Sequence, residues 1–357
     1  DAVDAQGADV RQLRRHNAAL LLDHMLRFGD VRQGMLAAAT GLTQQAVSKI
    51  LADLSAAGLI ERVRQPAVDV GKPPSIVRLR PQSRCALGAQ LDRDGYTMVR
   101  TGLTGQVEDL TVGSLRAGFT PAQAISALHR AARTLLRDVP DERVLGLGVG
   151  TVGPVDHRTG RVRRATNMAG WTDVPLRDLL ARRTGLPVMV DKDTNTAALA
   201  HCRPHPDIAA TAVVLVGTGI GAGLIIDGKV FRGSRSGAGE FGHVTLDRNG
   251  PRCACGRRGC LEVLHQQAAT TAMRARLLGV ALTDLVRILD IERVVLFGRA
   301  IRADPQAYES GVIGVLRETQ PPPHAVEVEI SSEDETAAAV GAAWLPLSAF
   351  LAQPLLS

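Results

Sequence analysis

Three cysteines fall within eight residues, Cys253-Ala254-Cys255-Gly256-Arg257-Arg258-Gly259-Cys260, and His243 stands ten residues before the first of them. Three thiolates and one imidazole make a closed tetrahedral donor set of the kind that holds structural zinc. Gly256 and Gly259 give the backbone the freedom to wrap an ion. Free thiols in a loop are the alternative. The expected cofactor is Zn(2+), one structural ion per chain, ligated by His243, Cys253, Cys255 and Cys260. Only five cysteines are present in 357 residues, an odd count that argues against a disulfide scaffold. Cys85 and Cys202 are left as buried thiols. The opening residues, DAVDAQGADV, are acidic and have no apolar core. No signal peptide is expected, and a reducing, cytoplasmic location is.

Charge separates the chain into two parts. The whole carries 42 Lys+Arg against 36 Asp+Glu, a net +6, yet residues 10–84 alone hold twelve basic and five acidic side chains. A basic N-terminal module on a near-neutral body points to a polyanionic partner, nucleic acid first. Within that module a helix over about 11–28 ends at Gly29-Asp30, and a short helix at about 32–39 ends at Thr40-Gly41. Thr43 is a good N-cap for a third helix that Gly58 stops. Val47, Ile50, Leu51 and Leu54 form its apolar face, opposite Gln44, Gln45, Ser48 and Lys49. Two helices joined by a Gly-containing turn, the second with a polar N-terminal face, read as a helix-turn-helix. Gln pairs with adenine, and Lys with guanine or phosphate. Strands at 59–63 and 75–79 then flank Gly71-Lys72-Pro73, making a wing whose tip suits phosphate or the minor groove. The expected DNA contacts are Thr43, Gln44, Gln45, Ser48, Lys49, Gly71, Lys72 and Pro73.

From Ala86 the texture changes to Gly-punctuated apolar strands and Ala/Arg-rich helices. Strands are predicted at 86–91, 96–101, 144–150, 187–191, 211–216, 222–227 and 293–297. Helices are predicted at 121–137, 175–184, 194–202, 262–278 and 281–290, with a last one near 335–350. Alternating strands and helices imply an α/β architecture. Leu87-Gly88-Ala89 and Val213–Gly223 sit at corresponding places in two halves, which suggests a duplicated sheet unit with a cleft. Aromatic residues are only 3%, so the cores must be aliphatic. The uncharged stretches 208–226 and 336–357 are broken by glycines or prolines, and no membrane span is expected.

The chain resembles the ROK family (repressors, open reading frames and sugar kinases), in its repressor branch with an N-terminal winged helix-turn-helix. Six segments carry the resemblance, in family order: Gly153-Pro154-Val155-Asp156, Asn167–Trp171, Asp191–Ala198, Gly217–Gly223, Gly237–His243 and Cys253–Glu262. The fold this implies is α/β. A winged helix-turn-helix over 9–80 precedes an actin-like (ribonuclease H-like), two-lobed sugar-kinase-type domain over 86–350. Its lobes would be about 86–195 with the C-terminal helix, and 196–335. Family kinases bind ATP and a hexose, and an Asp removes the proton of the sugar hydroxyl. Carried over, Asp193 matches that base, while Asn167, Lys192, Glu240, His243 and Glu262 fall at sugar-binding positions. Gly217, Thr218, Gly219 and Gly221 match a phosphate loop.

Departures from the kinase pattern shape the expected function. Gln90 stands in place of a metal-binding Asp, and Arg93 and Asp94 in place of phosphate-loop glycines. Phe297 and Arg299 flank the single Gly298 of the late nucleotide segment. Lys192 replaces an Asn before the base, where it is expected to hold Asp193 ionised and would suit a phosphorylated or acidic sugar. The resemblance therefore implies a DNA-binding regulator of sugar transport or catabolism genes, a repressor without kinase activity in which Asp193 is vestigial. Its partners would be double-stranded operator DNA and a sugar or sugar-derivative effector, in a homodimer or homotetramer. The alternatives are an ATP-dependent sugar kinase fused to a DNA-binding module, and a regulator controlled by a partner protein.

Overall fold

The computed structural model describes residues 10–64, 75–165, 168, 170–202, 209–217, 219–319, 325–331 and 336–354. The wing tip Gly71-Lys72-Pro73, Asn167, Thr218 and the side chain of Cys202 lie outside the described residues.

The N-terminal elements are α1 (Val10–Phe28), β1 (Val31–Arg32), α2 (Gln33–Thr40), α3 (Gln44–Ala56), β2 (Ile60–Arg64) and β3 (Ser75–Leu79). Gly41 ends α2 in the left-handed region, at φ 70°, a conformation that favours glycine. The Thr43 side chain then accepts the Ala46 N–H at 3.2 Å and starts α3. Val47, Ile50, Leu51 and Leu54 are buried, whereas Gln44, Gln45, Ser48 and Lys49 are exposed. The sequence suggested a two-stranded wing. The sheet has three strands in the order β1-β3-β2, because Val31 pairs with Val77 and extends it.

The first half of the body runs β4 (Cys85–Leu91), β5 (Gly95–Gly102), β6 (Val107–Ser114), α4 (Pro121–Leu135) and β7 (Val144–Thr151). A small sheet of β8 (Val155–Asp156), β9 (Arg161–Arg164) and β10 (Thr172–Val174) follows, then α5 (Leu176–Thr184), β11 (Val188–Lys192) and α6 (Asp193–Cys202). The second half holds β12 (Ala210–Val216), β13 (Ile220–Ile226), β14 (Lys229–Val230), α7 (Leu261–Gln267), α8 (Thr271–Leu289) and β15 (Arg293–Phe297). After these come α9 (Arg299–Ala303), α10 (Pro305–Thr319), β16 (Glu327–Ile330) and α11 (Thr336–Ala352).

The two halves repeat one wiring. In the first, β4 is central, antiparallel to β5 on one side and parallel to β7 on the other, giving the order β11-β7-β4-β5-β6. In the second, β12 is central, antiparallel to β13 and parallel to β15, giving β14-β13-β12-β15-β16. The duplication expected from the glycine-marked strands is present. One helix expectation is corrected. The predicted break at 279–280 does not exist, and α8 runs through Gly279. A Cβ on Gly279 would sit 2.9 Å from the Val315 side chain, so this glycine lets α10 approach α8. The break lies instead before Thr270, whose side chain caps α8 by accepting the Met273 N–H at 3.2 Å.

Two helices fill the space between the sheets. α6 packs on β12 and β13, α11 packs on β4 and β7, and the helices pack on each other. Their approach is closer than side chains allow. A Cβ on Gly148 of β7 would collide with the Ala342 carbonyl, and one on Gly341 with the Thr196 carbonyl. The C-terminal half of α11 then enters another core. Trp344, Leu347, Phe350 and Leu351 share one buried apolar cluster with Leu21, Leu22 and Met25 of α1 and Ile50 and Leu54 of α3. Burying a large apolar side chain contributes about 1.5–3 kcal/mol, so four of them dock the N-terminal module firmly on α11. The uncharged C-terminal stretch is accounted for by this packed helix. No helix among the described residues is long and apolar enough to cross a membrane.

Candidate functional site

Strand ends from both halves meet at a cavity of about 430 Å³. β11 ends at Lys192, and α6 begins at Asp193, so the turn between them aims Asp193 into the cavity. The loop from β12 to β13 contributes Gly217, Gly219 and Gly221, and the segment after β14 contributes Gly239, Glu240 and His243. Glu262, on the first turn of α7, lines the same space. Lys192, Asp193, Glu240, His243 and Glu262, all named from the sequence as sugar-site candidates, are thus brought together.

Lys192 has partners besides its sequence neighbour. Its Nζ donates to the Ala238 carbonyl at 2.6 Å and to Glu240 Oε1 at 3.1 Å. Its charge is therefore balanced in the first place by Glu240. Burial pushes the Asp193 carboxyl up to about 6, and the Asp92 and Glu240 carboxylates push the same way. The N–H of Thr194, which donates to Asp193 Oδ1 at 2.7 Å, and the Lys192 charge only partly offset that rise. Lys192 thus favours the ionised form without cancelling the cost of burial, and with a value of about 6 the Asp193 carboxyl is still mostly ionised at neutral pH.

This shift has a stability consequence. The unfolded carboxyl releases its proton near 3.8 and the folded one near 6. Between those values the folded chain binds more protons, so stability falls as pH rises through the window, by about 3 kcal/mol in total. Asp193→Asn keeps an oxygen for the Thr194 N–H and removes the penalty. The variant is expected to melt a few degrees above the parent at pH 8, with the gap narrowing as pH falls and closing only at about pH 3, below the unfolded value, by calorimetry. Equal melting temperatures at pH 8 would refute the assignment.

Residues not picked out from the sequence brace the site. Asp191, 2% exposed, accepts from Arg232 Nε at 2.7 Å, Asn195 Nδ2 at 2.8 Å and its neighbour's N–H at 2.8 Å. His157 Nδ1 lies 2.6 Å from Ser236 Oγ. Together with Lys192–Glu240, these contacts tie the first half to the loop after β14. No local signal marks Arg232 or Ser236 as partners of residues more than forty positions away.

The proposed phosphate loop is partly used by the fold itself. The Gly217 N–H donates to the Gly219 carbonyl at 2.9 Å, and the Ile220 N–H donates to Glu262 Oε2 at 2.8 Å. Opposite the loop, Asp94 and Arg299 form an ion pair at 3.4 Å across the cleft.

Behind the cavity wall the four proposed metal ligands converge. One donor atom from each of His243, Cys253, Cys255 and Cys260 lies within 4.8 Å of the others. Cys253 Sγ is 3.6 Å from His243 Nδ1, and Cys255 Sγ is 3.6 Å from Cys260 Sγ. A tetrahedral ion with metal–sulfur bonds of about 2.3 Å places its sulfurs about 3.8 Å apart, so the donor set fits a metal and not a disulfide. His243 turns Nδ1 to the cysteines, which leaves Nε2 for the cavity. Gln44, Gln45, Ser48 and Lys49, expected from the sequence as DNA contacts, are exposed on α3, far along the chain from this centre.

A sequence model of the ROK family matches residues 97–277, and one of the MarR family matches residues 12–68. The xylose repressor of Caldicellulosiruptor bescii is 25% identical over 276 residues, 76% of this chain and 69% of that protein. The Thermotoga maritima glucokinase is 38% identical over 152 residues, covering 41% of this chain and 46% of the kinase. The chain spans about two thirds of the length of the curated repressors it matches, 66–69% for the first two. Among solved structures, a ROK family transcriptional regulator described as a homologue of the E. coli MLC protein superposes with a TM-score of 0.79. It is 21% identical and covers 96% of this chain and 97% of its own. The ROK family glucokinase of Streptomyces griseus, solved with glucose and AMPPNP, gives a TM-score of 0.62 at 23% identity, covering 73% of this chain and 98% of its own. These likenesses establish the fold. Both regulators and kinases share it, so the activity has to be argued from the site.

Proposed function

The chain belongs to the ROK family and carries a MarR-type winged helix, and from that premise we propose a sugar-responsive transcriptional repressor. It would bind operator DNA through α3 and the wing, and a sugar-type effector in the cleft. The observation that carries this reading is the path of α11. Ala338 on its first turns lines the cavity. Gly341 touches α6 next. Trp344, Leu347, Phe350 and Leu351 then complete the core under the recognition helix. One helix thus touches both the ligand site and the DNA-binding module.

An effector that favours one lobe arrangement shifts the population of the α11 position, and with it the placement of α3. Two-fold symmetric operators favour a homodimer, or a tetramer built from two, with each recognition helix in a major groove. The unit boundaries that go with this reading are 9–80 for the DNA-binding module and 86–350 for the sensor. His243, Cys253, Cys255 and Cys260 would hold one structural zinc ion, which fixes the wall carrying His243 and Glu262.

Kinase activity is not part of the proposal. Phosphoryl transfer depends on positioned phosphates and Mg²⁺. Gln90 supplies no carboxylate for the metal, and Asp94 and Arg299 pair across the approach to the glycine loop. Incubation with ATP and a hexose panel is expected to give no sugar phosphate; turnover abolished by Asp193→Asn would establish the kinase instead.

The direct test is DNA binding. Genomic fragments selected by the full chain should contain one recurring two-fold motif. Gln44→Ala, Gln45→Ala and Lys49→Ala together should weaken binding to it by at least a hundredfold, since each good base pairing carries about 1–3 kcal/mol of discrimination. Fluorescence anisotropy reads the change. Unchanged operator affinity in the triple variant would show that α3 is not the recognition helix.

A further inference from the structure

Three buried polar atoms around the cleft have no hydrogen-bond partner: Gln90 Oε1, Arg93 Nε and Thr194 Oγ1. All three residues line the one cavity. Leaving a buried donor or acceptor unpaired costs about 1–3 kcal/mol, and more for a charged group. Three such atoms on residues around one recess give it polar groups whose pairing a bound polar ligand would complete.

The recess has a chemical character. Arg93 comes from the turn between β4 and β5 in the first half, yet its Nη2 reaches to 3.9 Å from where a Cβ on Gly219 would sit in the second half. Among the described residues Arg93 makes no ion pair. Arg299 stands on the same cavity, paired among the described residues with Asp94 at 3.4 Å, with side chains 48% and 69% exposed respectively. An exposed pair of this kind contributes about 0–1 kcal/mol, so a competing anion displaces Asp94 easily. Lys192, the cation that the sequence offered for this role, is already balanced by Glu240.

We infer that this arm of the cleft receives the anionic group of the effector, so that the ligand is a phosphorylated or carboxylated sugar rather than a neutral one. The inference rests on the sensor reading above and deepens it. Arg93 and Arg299 hold the anion's oxygens by the paired N–H geometry that guanidinium offers phosphate and carboxylate. Thr194 Oγ1 donates to a further oxygen. Backbone amides contribute less than in a phosphate loop, because the N–H groups of Gly217 and Ile220 are used within the fold. The carboxylates on the cavity are Asp92, Asp94, Asp193, Glu240 and Glu262, and Glu240 is neutralised by Lys192. Asp92 Oδ1 accepts the Arg93 backbone N–H at 2.7 Å, and Glu262 Oε2 accepts from Ile220. At Arg299 it is Asp94 that has to yield. Exchanging Asp94 for the ligand's oxygen at Arg299 breaks a contact between the two halves, which gives the anion a direct effect on their relative position.

The test is calorimetric titration of the full chain with free pentoses and hexoses, their terminal phosphates, the matching uronic acids, and inorganic phosphate alone. One anionic sugar is expected to bind at least tenfold tighter than its neutral parent, with affinity falling as salt rises. The phosphate and uronate arms separate the two sources of the charge. Arg93→Gln and Arg299→Gln should each remove that preference without lowering the melting temperature by more than a degree or two. A neutral sugar that binds as well as its charged forms, or a preference that survives Arg93→Gln, would overturn the inference and leave the sensor reading standing. No binding by any sugar would overturn both.

Discussion

Replacing Cys260 with serine is expected to empty the metal centre and take the cavity wall with it. Cys260 is fully buried, and its neighbours are tied to the site on both sides. The Leu246 N–H donates to the Gly259 carbonyl at 2.8 Å and the Leu261 N–H to the Val244 carbonyl at 2.8 Å, so the arms around the four ligands form one closed loop. Two residues on, Glu262 fixes the glycine loop through Ile220. Structural zinc supplies on the order of 10–16 kcal/mol to the folding of small domains that depend on it. Even a fraction of that exceeds the usual effect of a point substitution. Metal analysis should fall from about one zinc per chain toward none. The melting temperature should drop by ten degrees or more, and effector binding should be lost. Cys255→Ser, at the exposed ligand, should do the same to metal content with less damage to packing. Full metal content in either variant would show that the ligand set is wrong.

Such a centre is legible in the sequence because zinc ligation demands particular residue types at short spacing. The winged helix is legible for a similar reason: Thr43, Gly41 and the 47-50-51-54 stripe are local signals that each act within a turn or two. The repeated sheets show through glycines at strand positions, which mark close backbone approach. What stays hidden is decided by distant partners. Gly279 looks like a helix break, yet it is a packing contact that only the position of Val315 explains. Lys192 sits beside Asp193 in sequence and pairs with Glu240, because Cα neighbours at a strand end point apart while the loop after β14 brings Glu240 in from the far half. Arg93, Asp94 and Arg299 read as damage to nucleotide motifs. Only the fold brings Asp94 and Arg299 together, 205 positions apart.

Gly341→Ala adds one methyl group, and it is expected to be among the most damaging small changes available. The new Cβ would overlap the Thr196 carbonyl, which belongs to the backbone of α6 and cannot rotate away. On its other side α11 is pressed against β7, where the Ala342 carbonyl and Pro346 already crowd Gly148. Neither helix has free space to move into. Overpacking of a close-packed core commonly costs 1–3 kcal/mol, and a backbone collision lies at or beyond the top of that range. The functional effect should be larger still. Thr196 Oγ1 donates to the carbonyl of Asp193 at 2.8 Å, so a shift of α6 moves the residue that opens the ligand site. Farther along, the displaced α11 carries Trp344 and Leu347, which share one core with α1 and α3 and meet it through α1. A rigid relay predicts that Gly341→Ala changes effector affinity and operator affinity together, and flattens the effector's influence on DNA binding. Anisotropy titrations of operator with and without effector measure the coupling as a ratio of affinities, since linkage requires each ligand to alter the other's binding equally. A variant that loses stability yet keeps the parent's ratio would mean that signal reaches α3 by a route other than α11.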